Sequence, residues 1–193
     1  MKHLLTSIIV LALLTVITGV LYPLAVTGIA QIVFPAQANG SIVTEAGKSA
    51  GSSLIGQPFT SPRYFWGRPS ATGTFPYNPL PSTGSNLGPL NASLTAAVAQ
   101  QVHNLRSADP QNSLPVPVDL VTMSASGLDP DISVASAQYQ VPRVARARGV
   151  DEVLVRSLVE RHIEGRQFGL LGERRVNVLL LNLALDEQLS KGQ

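Results

Sequence analysis

LLTSIIVLALLTVITGVLYPLAVTGIAQIVF, residues 4–34, carries no charged side chain, and charge stays absent through Thr44. Almost every position is apolar or small. About 20 helical residues cross a bilayer core, so the run predicts one membrane-spanning helix from about Leu4 to about Ile32. Pro23 lies inside it and predicts a kink, because proline removes a helix donor and its ring presses on the preceding turn. The competing reading is a secretory leader, with Lys2 and His3 as its basic start and Ala36-Gln37-Ala38 as a small-residue cleavage site. A leader's apolar region has about 7–15 residues, roughly half of this run, which favours a retained anchor. Lys2 is the only charge before the run. The positive-inside rule therefore puts the N-terminus in the cytoplasm and everything after Phe34 outside.

Working outward, the whole chain has 193 residues, 45% hydrophobic and 13% charged, with a formal net charge of +2. Soluble domains average about 25% charged residues. The hydrophobicity and small net charge exclude a disordered chain. The absence of cysteine excludes disulfides, Cys-based zinc sites, iron–sulfur clusters and thiol catalysis. The slight basic excess is dispersed and makes no case for nucleic acid.

Beyond the apolar run the chain reads in two halves. Residues 45–142 hold nine charges and twelve of the fourteen prolines. This half should be loop-rich, with short strands around Ser53–Ile55, Tyr64–Trp66 and Pro117–Thr122. One helix interrupts it, capped by Asn91 or Ser93 and carrying Leu94, Ala97, Val98, Val102 and Leu105 at helical spacing. Residues 143–193 hold sixteen charges and read as helical. A helix is expected from near Ile132 with Asp131 as cap and Pro142 inside or at its end. Another should run from Asp151 to about Glu164, stopped by Gly165. A third, Val176 to Leu189, is apolar almost all round and should form the centre of the core. The fold class is thus a single N-terminal transmembrane helix plus one α+β extracytoplasmic domain, loop-rich in its first half and helical in its second. The segments are 1–34 as anchor, 35–50 as linker and 51–193 as soluble domain.

Catalytic patterns are scarce. Gly47-Lys48-Ser49 ends like a phosphate-binding loop, but Ile42 stands where that pattern needs glycine. His3, His103 and His162 are scattered, and no G-x-S-x-G elbow occurs. The eight arginines from Arg143 to Arg175 could form an anion patch, or could pair with Asp151, Glu152, Glu160, Glu164 and Glu173; the near balance of charge favours pairing. Ser82–Asn91 reads as a tight turn leading into the helix, or as an anion-binding loop of exposed backbone N–H groups.

Six ordered stretches together resemble one family: GSSLIGQPF (51–59), YFWGRPSA (64–71), GSNLGPLN (84–91), VPVDLVTMSASGLDPDIS (116–133), QYQVPRVARARG (138–149) and FGLLGERRVNVLLLNLALD (168–186). The resemblance is to KdpC, the C subunit of the Kdp potassium-transporting P-type ATPase, and covers essentially the whole chain. Asp131 departs from the pattern, in which His commonly follows GLDP.

The resemblance implies an accessory, non-catalytic subunit of the inner (plasma) membrane, single-pass. Its partners would be a potassium-translocating subunit, an ATP-hydrolysing subunit, a small single-span subunit and membrane lipid, with no nucleic acid. The chain lacks the Asp-Lys-Thr-Gly phosphorylation motif of P-type ATPases. Two roles attach to the family. One is a catalytic chaperone that raises the ATP affinity of the hydrolysing subunit, for which Gly56 and Gln57 have been likened to the end of a nucleotide-binding signature. The other is a cap near the ion entrance of the translocating subunit, without nucleotide contact. No cofactor is expected to bind firmly, no metal site is expected, and ATP would be met only through the complex. The expected subunit contacts are Tyr64, Phe65, Arg68, Pro69 and Ser70; Gly84, Ser85, Asn86, Leu87 and Gly88; and Asp129, Arg143 and Arg146. The same loops also read as turns that stabilise the fold. A cleaved periplasmic binding module is the remaining alternative.

Overall fold

A computed structural model describes residues 2–45 and 47–190; the side chains of Lys2, Leu189 and Ser190 are outside that description. The orientation signal at Lys2 and the extreme ends of the expected 1–34 and 51–193 segments therefore lie outside the described residues. Contacts divide the chain into two units, Met1–Val43 and Thr44–Gln193.

In the first unit α1 (Lys2–Val16) continues through a π turn (Ile17–Leu21) into α2 (Tyr22–Val33). The stretch His3–Val33 is long and apolar enough to cross a membrane, with mean hydropathy 2.6 and none of its most apolar window buried. Its 31 residues span about 46 Å at the helical rise. The irregularity expected at Pro23 takes the form of the π turn. Widening the helix just before Pro23 relieves the clash of its ring with the turn behind it and leaves Pro23 in the first turn of α2. Hydroxyls inside the run are satisfied locally: Ser7 donates to His3 O at 2.9 Å, Thr15 to Leu11 O at 2.8 Å and Thr18 to Leu14 O at 2.7 Å. A short α3 (Pro35–Ala38) follows; β1 (Ile42–Glu45) crosses into the second unit, where β2 (Lys48–Ser52) lies, and the two strands pair as a two-stranded sheet.

The second unit is the mixed α+β domain. Its loop-rich half contains α4 (Ala92–Ala108), whose N-cap Asn91 accepts the Ser93 N–H at 2.8 Å as its sequence suggests. The three expected strands do not form. Ser53–Ile55 turns away after β2, Tyr64–Trp66 leads from a bend into irregular chain without a strand partner, and Val118–Leu120 is a 3₁₀ turn.

The helical half contains β3 (Asp131–Ser133), α5 (Val134–Arg148), α6 (Glu152–Arg161), β4 (Ile163–Glu164), β5 (Arg175–Asn177) and α7 (Val178–Ser190). Strand order is β3-β5-β4, antiparallel throughout. Helix ends differ from expectation wherever this small sheet claims a residue. Asp131 enters β3, so the cap of α5 is Ser133, which accepts the Ser136 N–H at 3.1 Å. α6 ends at Arg161, before Gly165, because Ile163 and Glu164 pair with β5. Val176 belongs to β5, and α7 starts two residues later.

Alternation along β5 sorts its side chains. Val176 has no exposure and lies opposite Ile132 and Ile163. Arg175 faces the other way, 2.8 Å from Asp131 and 2.7 Å from Glu164. The core gathers Val141, Val144, Val155, Val159, Leu181 and Leu185 from α5, α6 and α7. Phe65, fully buried, joins them from the loop-rich half.

Candidate functional site

Three family-like stretches, 51–59, 64–71 and 116–133, meet around one irregular segment, Pro62–Ser70, which starts in a turn closed by the Tyr64 N–H on Ser61 O at 3.1 Å. This segment lacks a neighbouring strand, and side chains from the helices take that role. A carboxamide offers one donor and one acceptor, as a peptide group does. Asn182 in α7 accepts the Phe65 N–H at 2.8 Å and donates to Phe65 O at 3.0 Å. Gln140 in α5 accepts the Trp66 N–H at 2.8 Å and donates to Trp66 O at 3.1 Å. Arg143 donates to Pro62 O at 2.7 Å, Tyr64 O at 3.1 Å and Gln140 Oε1 at 2.6 Å, and its guanidinium carbon lies 4.1 Å from the Trp66 ring centroid. Arg148 donates to Arg63 O at 2.6 Å and Asp186 at 2.8 Å, and its guanidinium sits 4.8 Å over the Tyr64 ring. Tyr64 donates its hydroxyl to the same Asp186 at 2.8 Å.

Electrostatics follow from these contacts. Burial pulls the Arg143 guanidinium down to about 10, against opposing attraction from Asp109 and Tyr139; it stays cationic at neutral pH. The hydrogen bond to Asp186, reinforced by burial, raises the Tyr64 phenol.

A second knot follows in sequence. Arg68 reaches Asp129 at 3.0 Å and Met123 O at 3.3 Å. The Tyr77 hydroxyl donates to Arg68 O at 2.6 Å, and Ser70 Oγ donates to Gly127 O at 2.7 Å while accepting the Tyr77 N–H at 3.0 Å. Gly56 donates its N–H to Leu128 O at 2.9 Å. A Cβ added at Gly56 would overlap the Tyr77 ring and stand 2.7 Å from Asp129 O. Gln57 donates its side-chain amide to Ala50 O at 2.8 Å. Burial, and then the charge of Asp129, pushes the Tyr77 phenol up to about 12, against opposition from Arg68.

That shift carries a sign. A phenol whose folded pKa exceeds its unfolded value stabilises the fold fully below about pH 10 and loses the contribution as pH rises through about 12. Arg143, lowered, acts oppositely in that range and is common to any pair of Tyr77 variants. Tyr77→Phe is therefore expected to be about 1 kcal/mol less stable than the parent at pH 8, from the lost hydrogen bond. The difference should vanish or reverse near pH 12, because only the parent must then ionise a buried phenol. Urea unfolding of both proteins across that range measures it; a constant difference would refute the assignment.

Between Gln57–Thr60, Trp66–Ser70 and the α4 residues Gln101, Asn104 and Leu105 lies a cleft of about 490 Å³, in which Arg68 is the one charged lining residue. The other expected contact residues are distributed as follows. Tyr64, Pro69 and Ser70 are half-buried; Phe65 and Arg143 are buried, covered by the domain itself. A partner reaching this segment would meet Tyr64, Trp66 and Arg68. Gly84 packs on Ala125 O, where a Cβ would come within 2.9 Å. Asn86, exposed, adopts a left-handed φ of +52. Ser85 and Leu87 are half-buried, and Gly88 O accepts the Asn91 N–H at 3.0 Å, so the loop is a turn into α4. Arg146, half-exposed, pairs with buried Asp109 at 2.7 Å.

Of the pairings expected for the arginine-rich stretch, Arg156–Glu152 (3.9 Å), Arg166–Glu173 (2.8 Å) and Arg175–Glu164 (2.7 Å) form. Arg146 and Arg148 turn instead to Asp109 and Asp186. Among the described residues no group of three or more His, Cys, Asp or Glu side chains could hold a metal.

The family model of KdpC, described as K+-transporting ATPase, c chain, matches residues 4–187. The chain belongs to the KdpC family. Among curated relatives, the potassium-transporting ATPase KdpC subunit of Sorangium cellulosum (strain So ce56) is 60% identical over 186 residues, covering 96% of this chain and 98% of its own. That of Methylibium petroleiphilum (strain ATCC BAA-1232 / LMG 22953 / PM1) is 60% identical over 187 residues, covering 96% and 98%. The same-named subunit of Polaromonas naphthalenivorans (strain CJ2) is 61% identical, covering 96% and 95%.

Seen as a KdpC domain, the site is a scaffold that holds one irregular segment in place and opens a cleft beside it in which Arg68 is the one charged lining residue. Residue types alone singled out the arginine run that holds Arg143 and Arg148, and not Gln140, Asn182, Asp186 or Tyr77. One signal was present: Asn182 interrupts an otherwise apolar helix, and a carboxamide in a core must find partners.

Proposed function

We propose that this KdpC chain is the accessory, non-catalytic subunit of the Kdp potassium-transporting ATPase. In this reading the N-terminal helix is retained as its inner-membrane anchor, and the α+β domain stands outside the cytoplasm against the potassium-translocating subunit. The observation that carries the reading is the family match from residue 4 to 187, which takes in the apolar helix as well as the domain. The absence of charge from residue 4 to 44, with Lys2 before it, supports the orientation.

The subunit stabilises the complex with the ATP-hydrolysing and small single-span subunits, and raises ATP affinity from a distance. It does so by binding one state of the complex more tightly than another, since a ligand shifts an equilibrium only by its differential affinity. The surroundings of Gly56 and Gln57 favour this indirect route. The Gly56 N–H is used by Leu128 O, its Cα faces Tyr77, and the Gln57 amide is used by Ala50 O.

Intact mass of the chain recovered with its partners from membranes tests the reading. The full 20.4 kDa is expected, together with loss of assembled complex and a raised KM for ATP when the chain is deleted. Recovery of a chain lacking residues 1–38 would instead identify a released periplasmic module. An exported-type reporter fused after Gln193 should be active; activity of a cytoplasmic reporter alone would overturn the orientation.

A further inference from the structure

The middle of the apolar helix holds a backbone acceptor that its own helix does not serve. In a regular α-helix the Thr18 carbonyl takes the N–H of residue 22. Here the Tyr22 N–H turns to Ile17 O instead, the wider spacing of the π turn. The next residue is Pro23, which has no N–H to give. Thr18 O is thereby left without either donor. The neighbouring hydroxyls are committed elsewhere, Thr18 to Leu14 O at 2.7 Å and Thr15 to Leu11 O at 2.8 Å. Thr18 is also the central residue of His3–Val33, the depth at which a bilayer offers no water. An unmet carbonyl is costly there, and membrane helices broken by proline regain such bonds from neighbouring helices. The flank of this carbonyl is bare, because Gly19 follows it and a Cβ there would meet nothing within 4 Å.

We propose that a neutral hydrogen-bond donor, a hydroxyl or carboxamide, on a membrane helix of a partner subunit docks on Thr18 O over Gly19. The proposal rests on the accessory-subunit reading and names the contact that holds the anchor inside the membrane. The donor is neutral because a cation at mid-bilayer loses more in hydration than one hydrogen bond restores. Acyl chains carry no donor, so lipid does not meet the need. A second copy of this chain meets it poorly. Lying parallel, it would bring the same residues to the same level, where its Thr15 and Thr18 hydroxyls are already committed and Tyr22, exposed by 67%, would hold the two backbones apart. A helix with a small polar side chain can instead approach closely over the glycine.

The test uses the whole complex in bilayers and reads the carbonyl-carbon NMR signal of Thr18. Assembly with the partner subunits should move that signal downfield, as a new hydrogen bond does. Pro23→Ala restores an N–H at position 23, so the helix can serve its own carbonyls. This variant should abolish the shift and speed loss of the chain from the complex by about 5-fold, although its helix is the more regular. Gly19→Leu, which covers the flank and leaves Pro23 in place, should speed the loss as well. With p-benzoylphenylalanine in place of Tyr22, irradiation should give an adduct to a membrane segment of a partner subunit. An unchanged Thr18 signal on assembly, parental retention of both variants, or adducts only to lipid or to a second copy would each overturn the docking point while leaving the accessory reading intact. A parent chain that fails to co-purify with any partner would overturn both.

Discussion

Arg143→Ala is expected to destabilise the domain by about 3 kcal/mol, a fall of about 10 °C in melting temperature for a chain of this size. The guanidinium is buried and serves three neutral acceptors, Pro62 O, Tyr64 O and Gln140 Oε1, while covering the Trp66 ring. Truncation relieves the burial of one charge but takes the guanidinium from Pro62 O and Tyr64 O and leaves Gln140 Oε1 with the Trp66 N–H alone, and the second effect is larger. Gln140 then loses the contact that holds its oxygen toward the Trp66 N–H. Arg143→Lys should recover only part, since an ammonium lacks the planar fork that spans separated carbonyls and the flat face that stacks on indole. Trp66 is the only tryptophan, so its emission during urea unfolding of the full chain in detergent reads the site directly. A loss below about 1 kcal/mol would mean that the clamp is decorative.

Gly56→Ala is the second large effect, at about 3 kcal/mol. The new methyl would overlap the Tyr77 ring and stand 2.7 Å from Asp129 O. Tyr77 cannot retreat without giving up its bond to Arg68 O, nor the backbone at Asp129 without disturbing the Gly56–Leu128 bond. The same substitution separates two views of Gly56-Gln57. If the pair acts through packing, Gly56→Ala lowers stability first, and any fall in ATP affinity of the complex follows from lost subunit. A variant with parental melting temperature, full assembly and weakened ATP affinity would instead revive direct nucleotide contact.

Residues 45–142 hold only nine charges, as a surface covered by a partner would. The structure supplies a further cause. Ser70, Thr72, Asn78, Gln140 and Asn182 tie the loops together through neutral hydrogen bonds, a job charged groups do at greater desolvation cost. Similarly, Tyr64–Trp66 carries the residue types of a strand, yet no strand flanks it. Its ladder partners come from α5 and α7, far away in sequence, and local pattern holds no trace of them. The helix starts at Ile132 and Val176 went astray for a related reason. β3 and β5 each span three residues, and pairing across 46 residues between Asp131 and Asn177 decides them, against strong local helix signals.

What the sequence alone determined are the features set by local or cumulative physics. The apolar helix follows from 31 residues long and apolar enough to cross a membrane. The cap of α4, offered by the sequence as Asn91 or Ser93, falls to Asn91, whose side chain stands two residues before the N–H it accepts. Family membership follows from long ordered motifs. Tertiary structure alone decided what those motifs do. Phe65 and Arg143 look like anchors for a partner and are buried in their own domain, while Phe168 and Leu170 look like core and stand in the open. Burial is a property of the whole packed chain, fixed by which distant elements arrive at a residue, and a residue type states only what it would gain on being covered.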